Sequence, residues 1–367
     1  MQIEDFLSLC VSKQVPFFCY RLPEEKGLRI GVQRSSELLS FSSVSALSCL
    51  EDQCGFLVAP FDLTSENKIY FIQSDILIDD EVPSYAVEYL SSFPQKSFDN
   101  DLIQNLSSQK KDDYVASVVR LVDEIKKGEA NKVVYSRMVP FEVPSLKDKL
   151  PKVFSEMLEK YKDAYLFWFN IPGVSMWMGA SPELFLRKKA ERVETVALAG
   201  TQLSVEKWSS KNKEEQLYVE NFIREIFTAQ GLTDIRVDGP ISVKAGNVYH
   251  LKTQLSGQME DASSWTDLLE ALHPTPAVCG CPKEKAKPII QRMEASERGF
   301  YSGFLGFLDG NANFEFCVNL RSMRLLSDKA LLYVGGGITK DSDCEEEWRE
   351  TEMKLTTMAN VLETVNA

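Results

Sequence analysis

The run Asn313–Ile338, NFEFCVNLRSMRLLSDKALLYVGGGI, decides the fold class. Two apolar segments flank a Ser-Asp-Lys turn, and strands joined by so short a turn lie antiparallel. Ala164–Ala180, AYLFWFNIPGVSMWMGA, reads as a second hairpin around its Pro-Gly. Helical patterns fall between such pairs. At 112–129, DDYVASVVRLVDEIKKGE places Val115, Val118, Val119, Val122 and Ile125 at helical spacing and stops at Gly128. At 209–231, SSKNKEEQLYVENFIREIFTAQG starts on serine and stops on glycine, and a last helix opens at SDCE with Ser342 and Glu345 as a capping box. Helices and strands alternate irregularly, which points to an α+β architecture with large antiparallel sheets, not a doubly wound parallel one.

Farther out the sequence says less. The first 105 residues read as short strands and turns, FFCYRL, LRIGV, GFLVAPF and KIYFI, with little legible chemistry. The 367 residues carry a net charge of −13, which argues against a duplex nucleic acid or an anionic membrane as partner. A small anionic substrate then needs local cations or a bridging metal. No apolar run approaches the ~18–20 residues of a membrane span. The start, MQIEDFLSLCVSKQVPFF, lacks the basic head and long apolar stretch of a secretory leader. Eight cysteines lack the spacing of a disulfide framework, and Cys279 and Cys281 read as buried thiols, so a cytoplasmic protein is expected.

Several residues look costly to place. Glu215 lies four residues before Val219, on the stripe that also carries Phe222, Ile223, Ile226 and Phe227. A carboxylate there must find a cation, a metal or a proton. Glu347, Glu350 and Lys354 share one face of the last helix. Inward carboxylates from two helices suit a hard divalent ion such as Mg²⁺, although an acidic helix start stabilised by the dipole is the plain alternative. Gly335, Gly336 and Gly337 read as a tight turn able to approach an anion, and Arg321 as alternating with Asn319 and Cys317 on one strand face, suited to a carboxylate. No P-loop, dinucleotide fingerprint or GxSxG occurs, and His250 and His273 are too few for a His-rich zinc site. Lys132, if buried on its strand, can serve as a base, and Glu183 behind Pro182 as an acid kept protonated by burial.

Ten stretches, in order over about 112–360, resemble one family: KVVYSR, GASPELFLR, ETVALAGT, the helix around Glu215, NVYHLKTQLSG, LHPTPAVCGCP, ERGFYSGFLGF, FEFCVNLRS, YVGGGI and SDCEEEWRETEMK. The family is that of the chorismate-utilising enzymes, which includes isochorismate, salicylate, anthranilate and aminodeoxychorismate synthases. The resemblance implies one domain over 1–367, two large antiparallel β-sheets flanked by helices, with 1–105 its divergent part and 112–360 its motif-bearing core. It implies a site between the sheets for chorismate and Mg²⁺. By position, Glu215 and Glu350 resemble direct metal ligands and Glu347 a nearby or water-mediated one. Tyr301, Arg321 and Gly335, Gly336 and Gly337 resemble the pocket for the enolpyruvyl carboxylate. Gly200, Thr201 and His250 match positions near the ring, His273 and Thr275 a further substrate motif, and Lys354 a lysine near the metal.

Within the family, Ala199 stands where aminodeoxychorismate synthases carry a nucleophilic lysine, and no tryptophan-sensing segment of the anthranilate synthases is found. Leu198 in ALAGT, together with KNKEEQ, resembles isochorismate synthase. Gln216, Asn212 and Cys279 depart from a common His, Glu and Gly, and Cys279 bears on the shape of the pocket. The expectation is isomerisation of chorismate to isochorismate. A neutral Lys132 deprotonates a water that attacks C2, and Glu183 protonates the hydroxyl leaving C4. A monomer without a glutaminase subunit is expected. Salicylate synthase, anthranilate synthase and a non-catalytic chorismate- or Mg²⁺-binding module are the alternatives.

Overall fold

A computed structural model describes residues 1–79, 81–98, 108–202, 207–245, 248–260 and 264–366. The boundary expected near residue 105 lies outside them. In chain order the elements begin with α1 (Ile3–Lys13), β1 (Phe17–Arg21), β2 (Arg29–Val32), β3 (Leu39–Phe41), β4 (Cys54–Ala59), β5 (Ile69–Gln73), β6 (Ile76–Ile78) and α2 (Ser84–Ser91). The middle of the chain forms α3 (Lys111–Lys126), β7 (Lys132–Glu142), α4 (Leu146–Lys160), β8 (Tyr165–Ile171), β9 (Ser175–Ser181), β10 (Leu184–Lys189), β11 (Arg192–Gln202) and α5 (Ser210–Ala229). There follow β12 (Thr233–Ala245), β13 (Val248–Gln258), α6 (Trp265–Leu272), β14 (Gly280–Cys281), α7 (Lys283–Met293), β15 (Phe304–Asp309), β16 (Phe314–Val318), β17 (Ser322–Leu325), β18 (Lys329–Thr339) and α8 (Cys344–Asn366).

The strands make two nine-stranded sheets, in the orders β14-β7-β18-β17-β9-β8-β1-β2-β6 and β12-β13-β11-β10-β16-β15-β4-β5-β3. The α+β expectation holds: the strand pairings are antiparallel and helices flank both sheets. The N-terminal strands finish an edge of each sheet. The expected strands are present there, but α1 and α2 were not anticipated, and α1 buries Phe6, Leu7, Cys10 and Val11. Four apolar clusters result, one of them packing α3 and α7 against β7. One lies between the first sheet and α1, α2, α4 and α8, and another between the second sheet and α5 and α6. The layer between the sheets is aromatic, with Phe18 stacked on Phe56 at 4.8 Å and Trp177 on Tyr333 at 5.1 Å. Among the described residues no helix is long and apolar enough to cross a membrane.

Three local readings need correction. Val119 points outward, 46% exposed, because Tyr114 and Leu121 take the inner face of α3. Phe222 and Ile226 are only partly buried, whereas Val219, Ile223 and Phe227 are in the core. Asp343, not Ser342, caps α8, since its carboxylate accepts from the N–H groups of Glu345 and Glu346, while Ser342 accepts from Thr339. All eight cysteines are free; Cys279 is buried and Cys281 only partly so.

The opening run is less uniform than its pattern. β17 and β18 form the expected hairpin, with Leu325 opposite Ala330, but β16 belongs to the other sheet. The chain crosses at Asn319–Arg321, where Arg321 adopts a left-handed backbone (φ 48°) and so does not continue the strand face of Cys317. A second crossing, Pro182–Glu183, carries the chain from β9 to β10. The two crossings lie side by side: Val318 N–H donates to Glu183 O at 3.0 Å, and Ala180 N–H to Arg321 O at 3.0 Å.

Candidate active site

At these crossings the aromatic layer gives way to a polar cavity. Its walls come from β18 (Gly335, Gly336, Gly337), β11 (Gly200, Thr201), β13 (His250), the crossing residues Glu183 and Arg321, and the side chains of Tyr301, Glu215 and Lys354. Eleven of the expected residues therefore line one space. Lys132 lies beside Glu215 next to Gly337, and Glu347 and Glu350 lie next to Gly336. His273 and Thr275, expected at the substrate, do not line it. His273, partly buried, donates through Nε2 to Pro60 O at 2.9 Å and packs edge-on against Phe185 and Phe304. The buried Thr275 holds the next turn, its carbonyl accepting from Val278 and Cys279.

The glycine run is not a turn. It lies inside β18, paired with Val134, Tyr135 and Ser136 of β7. Its missing side chains make room for charge. A Cβ on Gly337 would overlap Glu215 Oε1 and sit 2.8 Å from Lys132 Cε; one on Gly336 would sit 3.3 Å from Glu347 Oε2 and 3.7 Å from Glu350 Oε1. Carboxylates from α5 and α8 thus converge over adjacent glycines. Each has a lysine: Glu215 meets Lys132 at 3.0 Å, Glu350 meets Lys354 at 2.5 Å, and Glu347 is paired with Lys211. Lys132, expected as a base if buried, is fully buried and faces the Glu215 carboxylate.

These partners set the charges. Burial pushes the Glu347 carboxyl upward and Glu350 beside it adds to that, with Lys211 pulling the other way. Burial also works against ionised Glu350, but Lys354 outweighs it and holds that carboxyl below the usual range. Among the described residues no group of three or more such ligands is assembled ready for a metal. The residues nevertheless fit a hard cation: Glu347 Oε2 is buried without a hydrogen-bond partner among the described residues, close to a second carboxylate.

The wall at the crossings holds a protonated carboxyl, a neutral imidazole and one guanidinium. Glu183 is 4% exposed, and burial raises its carboxyl to about 8 against the pull of Lys132 and Lys354. His250 is driven down to about 3 by burial, with Arg321 and Lys354 adding to it, so its ring is neutral. Its Nδ1 faces Gly200 O at 3.1 Å, and because a carbonyl only accepts, Nδ1 carries the proton and Nε2 is left as an acceptor. Gly200 needs its freedom: it sits at φ 72° in a bulge of β11, and a Cβ would come 2.9 Å from Asn212 O. Arg321 donates to Thr357 Oγ1 at 3.1 Å and, among the described residues, has no carboxylate within ion-pair distance. Tyr301 stacks on Tyr333 at 5.4 Å.

Lys211 and Tyr333 were missed. Lys211 left a signal, lying four residues before Glu215 and hence on its helix face; Tyr333 left none in an already apolar strand.

A family model described as chorismate binding enzyme matches residues 51–363. The chain belongs to this family. Isochorismate synthase MenF of Bacillus subtilis is 31% identical over 294 residues, covering 76% of this chain and 61% of that protein. The salicylate biosynthesis isochorismate synthase of Pseudomonas aeruginosa is 34% identical over 275 residues, 71% of this chain and 56% of that one. The alignments thus span less than two thirds of either relative. In fold, this chorismate binding enzyme is similar to the menaquinone-specific isochorismate synthase MenF from Escherichia coli, with a TM-score of 0.80 at 22% identity over 97% of this chain and 91% of that one.

Proposed function

We propose that the chain isomerises chorismate to isochorismate. The observation that carries the reading is a buried carboxyl group at Glu183, raised to about 8, facing the same cavity as an arginine that has no carboxylate partner among the described residues. Arg321 binds a substrate carboxylate through its planar fork, and Tyr301 and the bare backbone of Gly335 let that group approach closely. The neutral His250 offers Nε2 to a ring hydroxyl. Lys132 takes the proton of the water whose oxygen bonds to C2. Glu183 gives its proton to the C4 hydroxyl as the C4–O bond breaks and the ring double bonds shift, so one water enters and one leaves. Burial suits Glu183 to give a proton, and Lys132 takes one once its ion pair with Glu215 is released, as it would be if Glu215 turned to hold the metal.

Glu350 and Glu215, with Glu347 adjacent, would hold Mg²⁺, which when bound supplies Lewis-acid polarisation of the ring carboxylate. Lys211 and Lys354 offset the charge of this acidic cluster, so the site accepts a dianion despite the overall charge of −13. We place the enzyme in the cytoplasm, in keeping with its free thiols, as a monomer that needs no glutaminase subunit.

Purified protein incubated with chorismate and Mg²⁺, followed by chromatography, tests this. Isochorismate without pyruvate is expected. Pyruvate release would make it a salicylate synthase, an aromatic amine formed with ammonium an anthranilate synthase, and binding without turnover a binding module.

A further inference from the structure

We infer that Glu294 and Arg298 are positioning residues for this cavity, and that together they replace a strand the first sheet lacks. β7 pairs with β18 along its whole length, but on its other edge β14 covers only Lys132 and Val133. One more bond, Val134 N–H to Cys279 O at 2.8 Å, ends that ladder. The next edge groups, the Val134 carbonyl and the Ser136 N–H, lie in a buried part of the strand where a missing partner is costly. Arg298 Nη2 donates to Val134 O at 2.8 Å, and Glu294 Oε1 accepts from Ser136 N–H at 2.7 Å. Donor and acceptor are held together by their own ion pair at 2.6 Å, with both side chains 5% exposed or less. The guanidinium carbon lies over the ring of Phe61, 4.2 Å from its centroid.

A buried ion pair gains little stability over apolar packing, so its contribution here is geometric. Val134 lines the cavity, and Lys132 precedes it by two residues on the same strand face. The second nitrogen, Nη1, donates to Val278 O at 2.7 Å, and Val278 is also a cavity wall. One guanidinium therefore fixes the lysine-bearing strand against the loop across from it.

The catalytic half of this role rests on the functional reading above; the backbone half does not. Arg298→Lys keeps the charge but loses the fork that reaches both carbonyls, and Glu294→Gln keeps the shape but loses the charge. For both, kcat and KM for chorismate are measured beside amide hydrogen exchange along β7. A fall in kcat on the order of ten- to a hundredfold is expected, as for a displaced catalytic group, with KM little moved. Exchange at Ser136 should quicken while the second sheet is unchanged. Wild-type kcat in folded variants, or unaltered exchange at Ser136, overturns the inference, and so does a lowered Tm with kcat intact. If Arg298→Lys does not fold, Glu294→Gln decides. If the wild type itself leaves chorismate unconverted, the functional reading fails and the exchange result alone decides the positioning role.

Discussion

The two ends of the cavity bury carboxyl groups alike and treat them oppositely. At the helix end, Glu215, Glu347 and Glu350 each face a lysine. At the crossing end, Glu183 has no ion-pair partner among the described residues and its carboxyl rises to about 8. Burial is common to both, and it is outweighed where Lys354 meets Glu350 but only opposed where Lys211 meets Glu347. One end is built to hold charge and the other to move a proton.

Exchanging the character of the crossing end should cost most. Glu183→Gln keeps the volume and loses the proton, and its turnover of chorismate should fall on the order of 10²–10⁴-fold. In the wild type, activity should decline as pH rises past about 8, where Glu183 ionises. Stability should follow the same group. Its folded value lies above the ordinary 4.5, so its contribution is complete below that pH and is lost as pH climbs to about 8. The melting temperature of Glu183→Gln relative to wild type should therefore rise across that window, and a difference flat with pH would break the contrast.

Next comes the glycine wall. Gly337→Ala should push Glu215 off Lys132, lowering kcat by about a hundredfold for a shift of roughly 1 Å, with stability down by about 1–3 kcal/mol from overpacking. A fully active alanine variant would show that the Lys132–Glu215 contact is dispensable. Lys211→Met leaves Glu347 buried without its cation and should cost about 1–3 kcal/mol in denaturant titration. Added Mg²⁺ should raise the melting temperature of this variant more than that of wild type. The smallest effect is expected away from both ends: Thr275→Val removes a hydroxyl with no partner among the described residues and should leave KM unchanged and stability within about 0.5 kcal/mol.

The sequence disclosed this contrast unevenly. Glu215 was legible because an acid on an apolar stripe is expensive wherever the helix lies, and Glu183 because a proline pins the residue beside it. Strand pattern located Lys132, yet its carboxylate partner sits 83 residues away in α5, and no local periodicity links the two. Gly335–Gly337 misled for a physical reason: three glycines signal a turn when only backbone freedom is weighed, whereas here they clear space for side chains arriving from two helices. The break at Arg321 was hidden, because a strand entering one sheet and the next strand entering another show the same apolar alternation. His273 and Thr275 matched by wording alone, and their spacing could not tell a core turn from a contact surface.

The paired crossings also restrict how this chain can change length. Two residues join β9 to β10, and three join β16 to β17. Adding or deleting one residue in either link would slip the following strand by one place and reverse which of its side chains face inward. Glu183 and Arg321 would be carried out of the cavity with it. Substitutions can accumulate around these links, but insertions and deletions there should be purged, so length variation among related chains should fall elsewhere, in the surface loops.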